Sequence, residues 1–151
     1  MLDSDLLSPS RILAGVRINS KKRLFEFIST TLARKNPDLN SREIFGSICA
    51  REQLGSTALG NGIAVPHGRT TGSKDVEALF LQLIKPLPYD AVDDEPVDLI
   101  FALAIPRDCT EDHKKLLAGI VERFSDPELL EQLRQAANAN ELWQLLSSSH
   151  A

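Results

Sequence analysis

A histidine set between a proline and a glycine, His67 in Pro66-His67-Gly68-Arg69, is the residue in this sequence best suited to do chemistry. Proline fixes φ and removes one competing N–H, while glycine lets the backbone approach a bulky group. An imidazole held at a strand end by such neighbours suits a nucleophile that must present one ring nitrogen to a partner. The neutral ring is the reactive form, and an unperturbed pKa of about 6.5 keeps it plentiful near neutral pH. Two other groups stand out: His113, at the start of a later helix, and Arg51, near the end of an earlier one. A lone histidine is nevertheless more often a hydrogen-bonded structural residue, so spacing by itself leaves the role of His67 open.

The stretch around it runs from Gly55 to Gly72 and carries five glycines and a proline. That composition invites comparison with phosphate-cradling loops, and both standard forms fail. A Walker loop needs Gly-Lys-Ser/Thr after its second glycine, but Gly60 is followed by Asn61 and Gly62. A dinucleotide fingerprint starting at Gly60 needs a small residue where Val65 stands. A zinc site is the rival chemistry, since Cys109 and His113 are four apart and His67 could join them. Zinc wants three or four ligands, usually with a tight cysteine or histidine pair, and Cys109-x3-His113 is a thin match. No metal and no cofactor is expected.

The elements that must position these groups follow from hydrophobic periodicity. From Ser20, Leu24, Phe25, Ile28 and Leu32 recur at helical spacing until Pro37. Asn40 and Glu43 form a capping-box pattern that opens a second helix through Ile44, Ile48 and Leu54, ending near Gly55. Ile63-Ala64-Val65 reads as a strand. Residues 78–84 and 97–105 are too continuously apolar for a half-exposed hairpin and read as interior strands, joined by a polar, acidic connection from Pro86 to Pro96. The last third is helical. Leu117, Ile120, Val121 and Phe124 form one stripe; Asp126-Pro127 supplies an N-cap and first residue; Leu129, Leu130 and Leu133 form the next stripe, then Leu142, Trp143, Leu145 and Leu146. Ser147-Ser148-Ser149 is a frayed end. Helices, then strands, then helices predict an α/β layered domain with a central mixed sheet flanked by helices.

The 151 residues suit one domain, 1–151, with a core over about 6–147. A content of 42% hydrophobic and 25% charged residues is that of an ordinary folded protein. With 17 basic against 21 acidic residues, net −4, there is no clustered basic surface for nucleic acid. Lys21-Lys22-Arg23 is short and reads as the solvated first turn of a helix. No stretch reaches the roughly 20 apolar residues that cross a bilayer, and Asp3 and Asp5 stand where a signal peptide would carry positive charge. A cytoplasmic location without membrane insertion is expected. Cys49 and Cys109 are expected as free thiols rather than a disulfide.

The run from Arg51 to Arg69, REQLGSTALGNGIAVPHGR, closely resembles the active-site signature of phosphotransferase-system IIA domains of the fructose/mannitol type. The resemblance covers nearly the whole chain. Asn19-Ser20-Lys21-Lys22-Arg23 looks like the start of the first long helix in nitrogen-branch members, Pro96-Val97-Asp98-Leu99-Ile100-Phe101-Ala102-Leu103 like their central strand, and His113-Lys114-Lys115-Leu116-Leu117 like the second histidine on its helix. It implies that His67 accepts a phosphoryl group from an HPr-type phosphocarrier protein, on Nε2 by family habit. It further implies that His113 helps hold that group and that Arg51 adds positive charge. Gly55, Ser56 and Thr57 are secondary candidates as donors to the phosphoryl oxygens, helped by helix amides near Glu111–His113. Arg69 is expected at the docking surface, directed to solvent or to the partner. The function implied is a phosphocarrier of the nitrogen branch, a phosphotransferase component with a phosphohistidine intermediate, regulating target proteins of unknown identity. The absence of an appended membrane, IIB-like or HPr-like segment favours that branch. The alternative is a stand-alone fructose/mannitol-type sugar IIA component that passes the group to a IIB domain.

Overall fold

The structure, a computed structural model, describes residues 6–91, 93–109 and 111–147. Its strands are β1 (Ile12–Val16), β2 (Ala58–Gly60), β3 (Ile63–Ala64), β4 (His67–Thr70), β5 (Glu77–Leu87) and β6 (Val97–Pro106). Its α-helices are α1 (Lys21–Lys35), α2 (Ser41–Leu54), α3 (Glu111–Arg123), α4 (Pro127–Gln135) and α5 (Ala139–Ser147). Asp3, Asp5, Ser148 and Ser149, which figured in the sequence reading, lie outside the described residues.

The apolar run of β6 becomes the spine of one mixed sheet, ordered β1-β5-β6-β3-β2, with β4 also pairing β6. β5 lies antiparallel on one side of β6, and β3 and then β4 lie parallel along the other. Alternation along β6 divides its side chains between two cores, as a strand buried on both faces requires. Leu99, Phe101, Leu103 and Ile105 meet Ile120, Phe124, Leu133 and Leu142 on one face; Ile100, Ala102 and Ala104 meet Leu24, Ile28, Ile44 and Ile48 on the other. Helices α3 to α5 thus cover one face and α1 and α2 the other, the layered α/β arrangement expected.

Helix starts follow their sequence signals. Ser20 caps α1 by accepting from the Arg23 amide, Asn40 caps α2 by accepting from the Glu43 amide, and Asp126 caps α4 with Pro127 at its first position. The second arm of the expected capping box is missing. The Glu43 carboxylate reaches instead to the end of β4, accepting from the Thr70 and Thr71 hydroxyls and the Thr71 amide, and these bonds hold it below the usual carboxylate range despite some desolvation.

Other expectations need correction. Leu54 sits at the last position of α2 with 85% of its surface exposed, and Val121 is also exposed, because each lies just off its helix's buried stripe. The segment after Pro86 is not uniformly polar: Pro86 and Leu87 end β5, and Leu87, Tyr89 and Ala91 are buried. Lys21 is not merely solvated, since its ammonium donates to Glu52 at 2.9 Å and lies 4.5 Å from the centre of the Tyr89 ring. Strands β1, β2 and β4 were not read from the sequence at all. Cys49 and Cys109 are free thiols.

Candidate active site

His67 opens β4, so the sheet itself holds the ring: its residue pairs with Leu103 of β6, and the Pro66 carbonyl accepts from the Leu103 amide at 3.1 Å. Period-two alternation then puts His67 and Arg69 on one face of β4 and Gly68 and Thr70 on the other. The Gly68 face meets α2. A Cβ on Gly68 would lie 2.9 Å from the Ile48 amide nitrogen and 3.0 Å from Ser47 Cβ, so only glycine lets helix and strand come this close. Ser47 Oγ accepts from the Arg69 amide at 2.6 Å, and Arg51 follows one helical turn after Ser47. This contact brings the cationic end of α2 to the mouth of the site.

The His67 ring is half-buried, and its Nδ1 lies 2.9 Å from the Val65 carbonyl oxygen. A carbonyl only accepts, so Nδ1 carries the proton and Nε2 carries the lone pair. Burial disfavours the charged ring and pulls its pKa below 6.5. The Val65 hydrogen bond and the Glu52 carboxylate oppose that shift, while the charges of Arg51 and Arg69 reinforce it. The result is a neutral imidazole with its free lone pair on Nε2.

His113, in the first turn of α3, stands edge-on to His67 with ring centres 5.9 Å apart. Its Nδ1 is bound by Arg69 Nη2, and its Nε2 is buried with no hydrogen-bond partner among the described residues. Burial, then the Arg69 charge, then His67 keep its pKa below 6.5. Arg51 Nη1 donates to the Gly55 carbonyl at 2.9 Å, folding back over the end of its own helix while its charge reaches His67. His67, Arg51 and His113 therefore come together from β4, α2 and α3.

Arg69, expected at the docking surface and directed to solvent or to a partner, has its guanidinium turned onto the chain itself. Its Nη1 donates to the Pro106 carbonyl at 3.0 Å and the Cys109 carbonyl at 2.5 Å, and its Nη2 to His113, because the chain leaving β6 exposes these acceptors directly across from it. The secondary donors are also committed elsewhere. Thr57 gives its hydroxyl (2.6 Å) and amide (3.1 Å) to the Glu52 carboxylate, and Ser56 gives its hydroxyl to the Tyr89 carbonyl. The Gly55 amide turns back to Glu52 O.

Sequence reasoning missed the network beneath this loop. The buried Glu52 carboxylate is shared by Lys21, Thr57 and, at 3.5 Å, the hydroxyl of buried Tyr89. Desolvation and the Glu52 charge push the Tyr89 phenol well above its ordinary range, so it stays a protonated donor. These residues are scattered from position 21 to 89, and only folding makes them neighbours; the capping Ser20 and the apolar Tyr89 flank give no hint of the pairing.

Among the described residues no group of three or more histidine, cysteine or acidic side chains is placed to hold a metal ion. Cys109 and His113 do approach the same feature, but both serve Arg69. Nor is any described helix long and apolar enough to cross a membrane.

Comparison with known proteins identifies the family. A nitrogen regulatory protein of Pseudomonas aeruginosa is 40% identical over 93% of this chain and 92% of its own length. A nitrogen regulatory protein homolog of Haemophilus influenzae is 43% identical over 94% of this chain and 88% of its own. The crystal structure of nitrogen regulatory protein IIA-Ntr from Neisseria meningitidis superposes with a TM-score of 0.88 at 37% identity, covering 95% of this chain and 97% of that one. The IIA mannitol structure from Escherichia coli shares the fold, with a TM-score of 0.76 at 21% identity over 93% of this chain and 98% of that one. The family model for EIIA 2 of the phosphoenolpyruvate-dependent sugar phosphotransferase system matches residues 5–149, and this chain belongs to that family.

Proposed function

We propose that the chain is a cytoplasmic phosphocarrier of the nitrogen branch, which takes a phosphoryl group onto His67 Nε2 from the phosphohistidine of an HPr-type protein and regulates other proteins by its phosphorylation state. The observation that carries the reading is the hydrogen bond from His67 Nδ1 to the Val65 carbonyl, which leaves Nε2 as the free lone pair of a neutral ring. That lone pair attacks phosphorus, a new N–P bond forms, and the donor's N–P bond breaks with its electron pair returning to the donor nitrogen. The Nδ1 proton stays on the ring throughout, and the Val65 carbonyl stabilises the positive charge the ring acquires.

Phosphoryl transfer has a loose transition state with charge spread over three oxygens, so positioning and electrostatics dominate. Arg51 supplies a cation with paired N–H donors, and His113 supplies an N–H from across the site. The nitrogen branch is favoured over a sugar-type IIA passing the group to a IIB domain, because relatives named nitrogen regulatory protein reach about 40% identity over nearly the full chain. Regulation follows from charge: a phosphoryl group adds about two negative charges to a surface that partners contact, so complexes fitted to neutral imidazole weaken.

The test is incubation with phosphoenolpyruvate, enzyme I and an HPr-type carrier, followed by mass analysis for an acid-labile, base-stable adduct. His67→Ala should abolish labelling, and Arg51→Ala and His113→Ala should slow it. Labelling that survives His67→Ala would overturn the assignment.

A further inference from the structure

We infer that Arg69 is a positioning residue: its guanidinium, clamped on the Pro106 and Cys109 carbonyls, fixes His113 as the Nε2–H tautomer with that N–H directed to the phosphoryl site. The inference rests on the reading of His67 as acceptor for its purpose, but its geometry stands independently.

Arginine has donors and no acceptor, so a guanidinium bound to His113 Nδ1 requires that nitrogen to hold a lone pair. The proton of the neutral ring must then sit on Nε2. That atom is buried and has no hydrogen-bond partner among the described residues, a costly arrangement that folded proteins keep rare. The cost has a use here. The ring lies edge-on to His67 at 5.9 Å, so phosphoryl oxygens on His67 would offer the acceptor that His113 lacks. A protein that leaves a buried donor unpaired next to the place where negative charge arrives has pre-aimed it, with no reorientation left for the transfer step.

Arg69 can hold this position because it is itself held. Nη1 spans two backbone carbonyls where the chain leaves β6 for α3, and the Arg69 amide is tied to Ser47 on α2. One side chain therefore joins the strand that carries the nucleophile to the turn before the helix that carries the second histidine. The two rings end in opposite tautomers: His67 with its proton on Nδ1, set by a carbonyl, and His113 with its proton on Nε2, set by a cation.

Long-range proton–nitrogen NMR of the histidine-labelled, unphosphorylated protein at neutral pH reads both tautomers directly. The wild-type chain should show His113 as Nε2–H and His67 as Nδ1–H. Arg69→Met, which keeps length but removes every donor, should give His113 a mixture of tautomers and slow phosphoryl transfer about tenfold, the worth of one hydrogen bond to a charged group. Arg69→Lys, which keeps a donor without an acceptor, should restore the Nε2–H form and most of the rate. His113 found as Nδ1–H in the wild type, or as pure Nε2–H in folded Arg69→Met, would overturn the inference. If Arg69→Met does not fold, the wild-type and Arg69→Lys spectra decide. Failure of His67 to become phosphorylated would sink the proposed function while leaving the tautomer result standing.

Discussion

At the scale of single residues, the site depends on which ring nitrogen is free and whether the ring is neutral. His67 is pulled below 6.5, chiefly by burial, so the acid limb of phosphorylation should lie below pH 6.5. The sign is fixed by the lone pair: a proton on Nε2 removes the nucleophile, so the rate falls as pH drops through the lowered pKa. Stability follows the same direction. The unfolded ring binds its proton near pH 6.5 and the folded ring only at lower pH, so stability is lost as pH falls between the two values. A histidine titration by NMR with a His67 midpoint at or above 6.5 would contradict both. His67 was legible as a candidate because proline, histidine and glycine are adjacent in sequence. Arg69 was misread because its direction is decided by two carbonyls near residues 106 and 109, invisible in a local window.

At the scale of elements, the close packing of α2 on β4 sets the site. Gly68→Ala would put a methyl group 2.9 Å from the Ile48 backbone, and the helix or strand would have to shift. Overpacking of this kind costs about 1–3 kcal/mol, read as a lower midpoint in urea unfolding, and should slow transfer because Arg51 moves with α2. Tyr89→Phe keeps the ring but deletes the hydroxyl that serves Thr57 and Glu52; about 1 kcal/mol of stability should be lost, measured the same way. Elements with strong local signals were readable: α1, α2 and α4 through their caps, β5 and β6 through unbroken apolar runs. Strand β1 and the four residues of β4 were not, because they are strands only by virtue of what they pair with. A run such as His67-Gly68-Arg69-Thr70 has little intrinsic preference for extended structure, and β6 imposes it.

Across the whole molecule, one sheet separates two cores, and the site draws on both: Arg51 comes from the α1–α2 layer and His113 from the α3–α5 layer. The second layer is seated by Phe124, stacked on Phe80 at 6.2 Å and tilted against Phe101 at 5.5 Å. Phe124→Ala should cost about 3–5 kcal/mol in urea unfolding, the usual range for a large aromatic deleted from a core. The layered plan was legible because helical and strand-like periodicities occupy separate stretches of the chain. That β4 would pair with β6 beyond β3, and so bring residue 67 between the two layers, was not.

The position of β6 carries one more consequence. Its amides are paired on both sides along most of its length, with β5 on one edge and β3 and β4 on the other. Backbone groups so enclosed exchange their hydrogens for deuterium only when the sheet itself opens, on the slowest time scale the molecule has. The His67 imidazole is therefore fastened to the least yielding part of the chain. In the proposed function it is a fixed post to which a partner would bring its own phosphorylated surface, and adaptation during the encounter would fall to the partner and to exposed side chains at the rim.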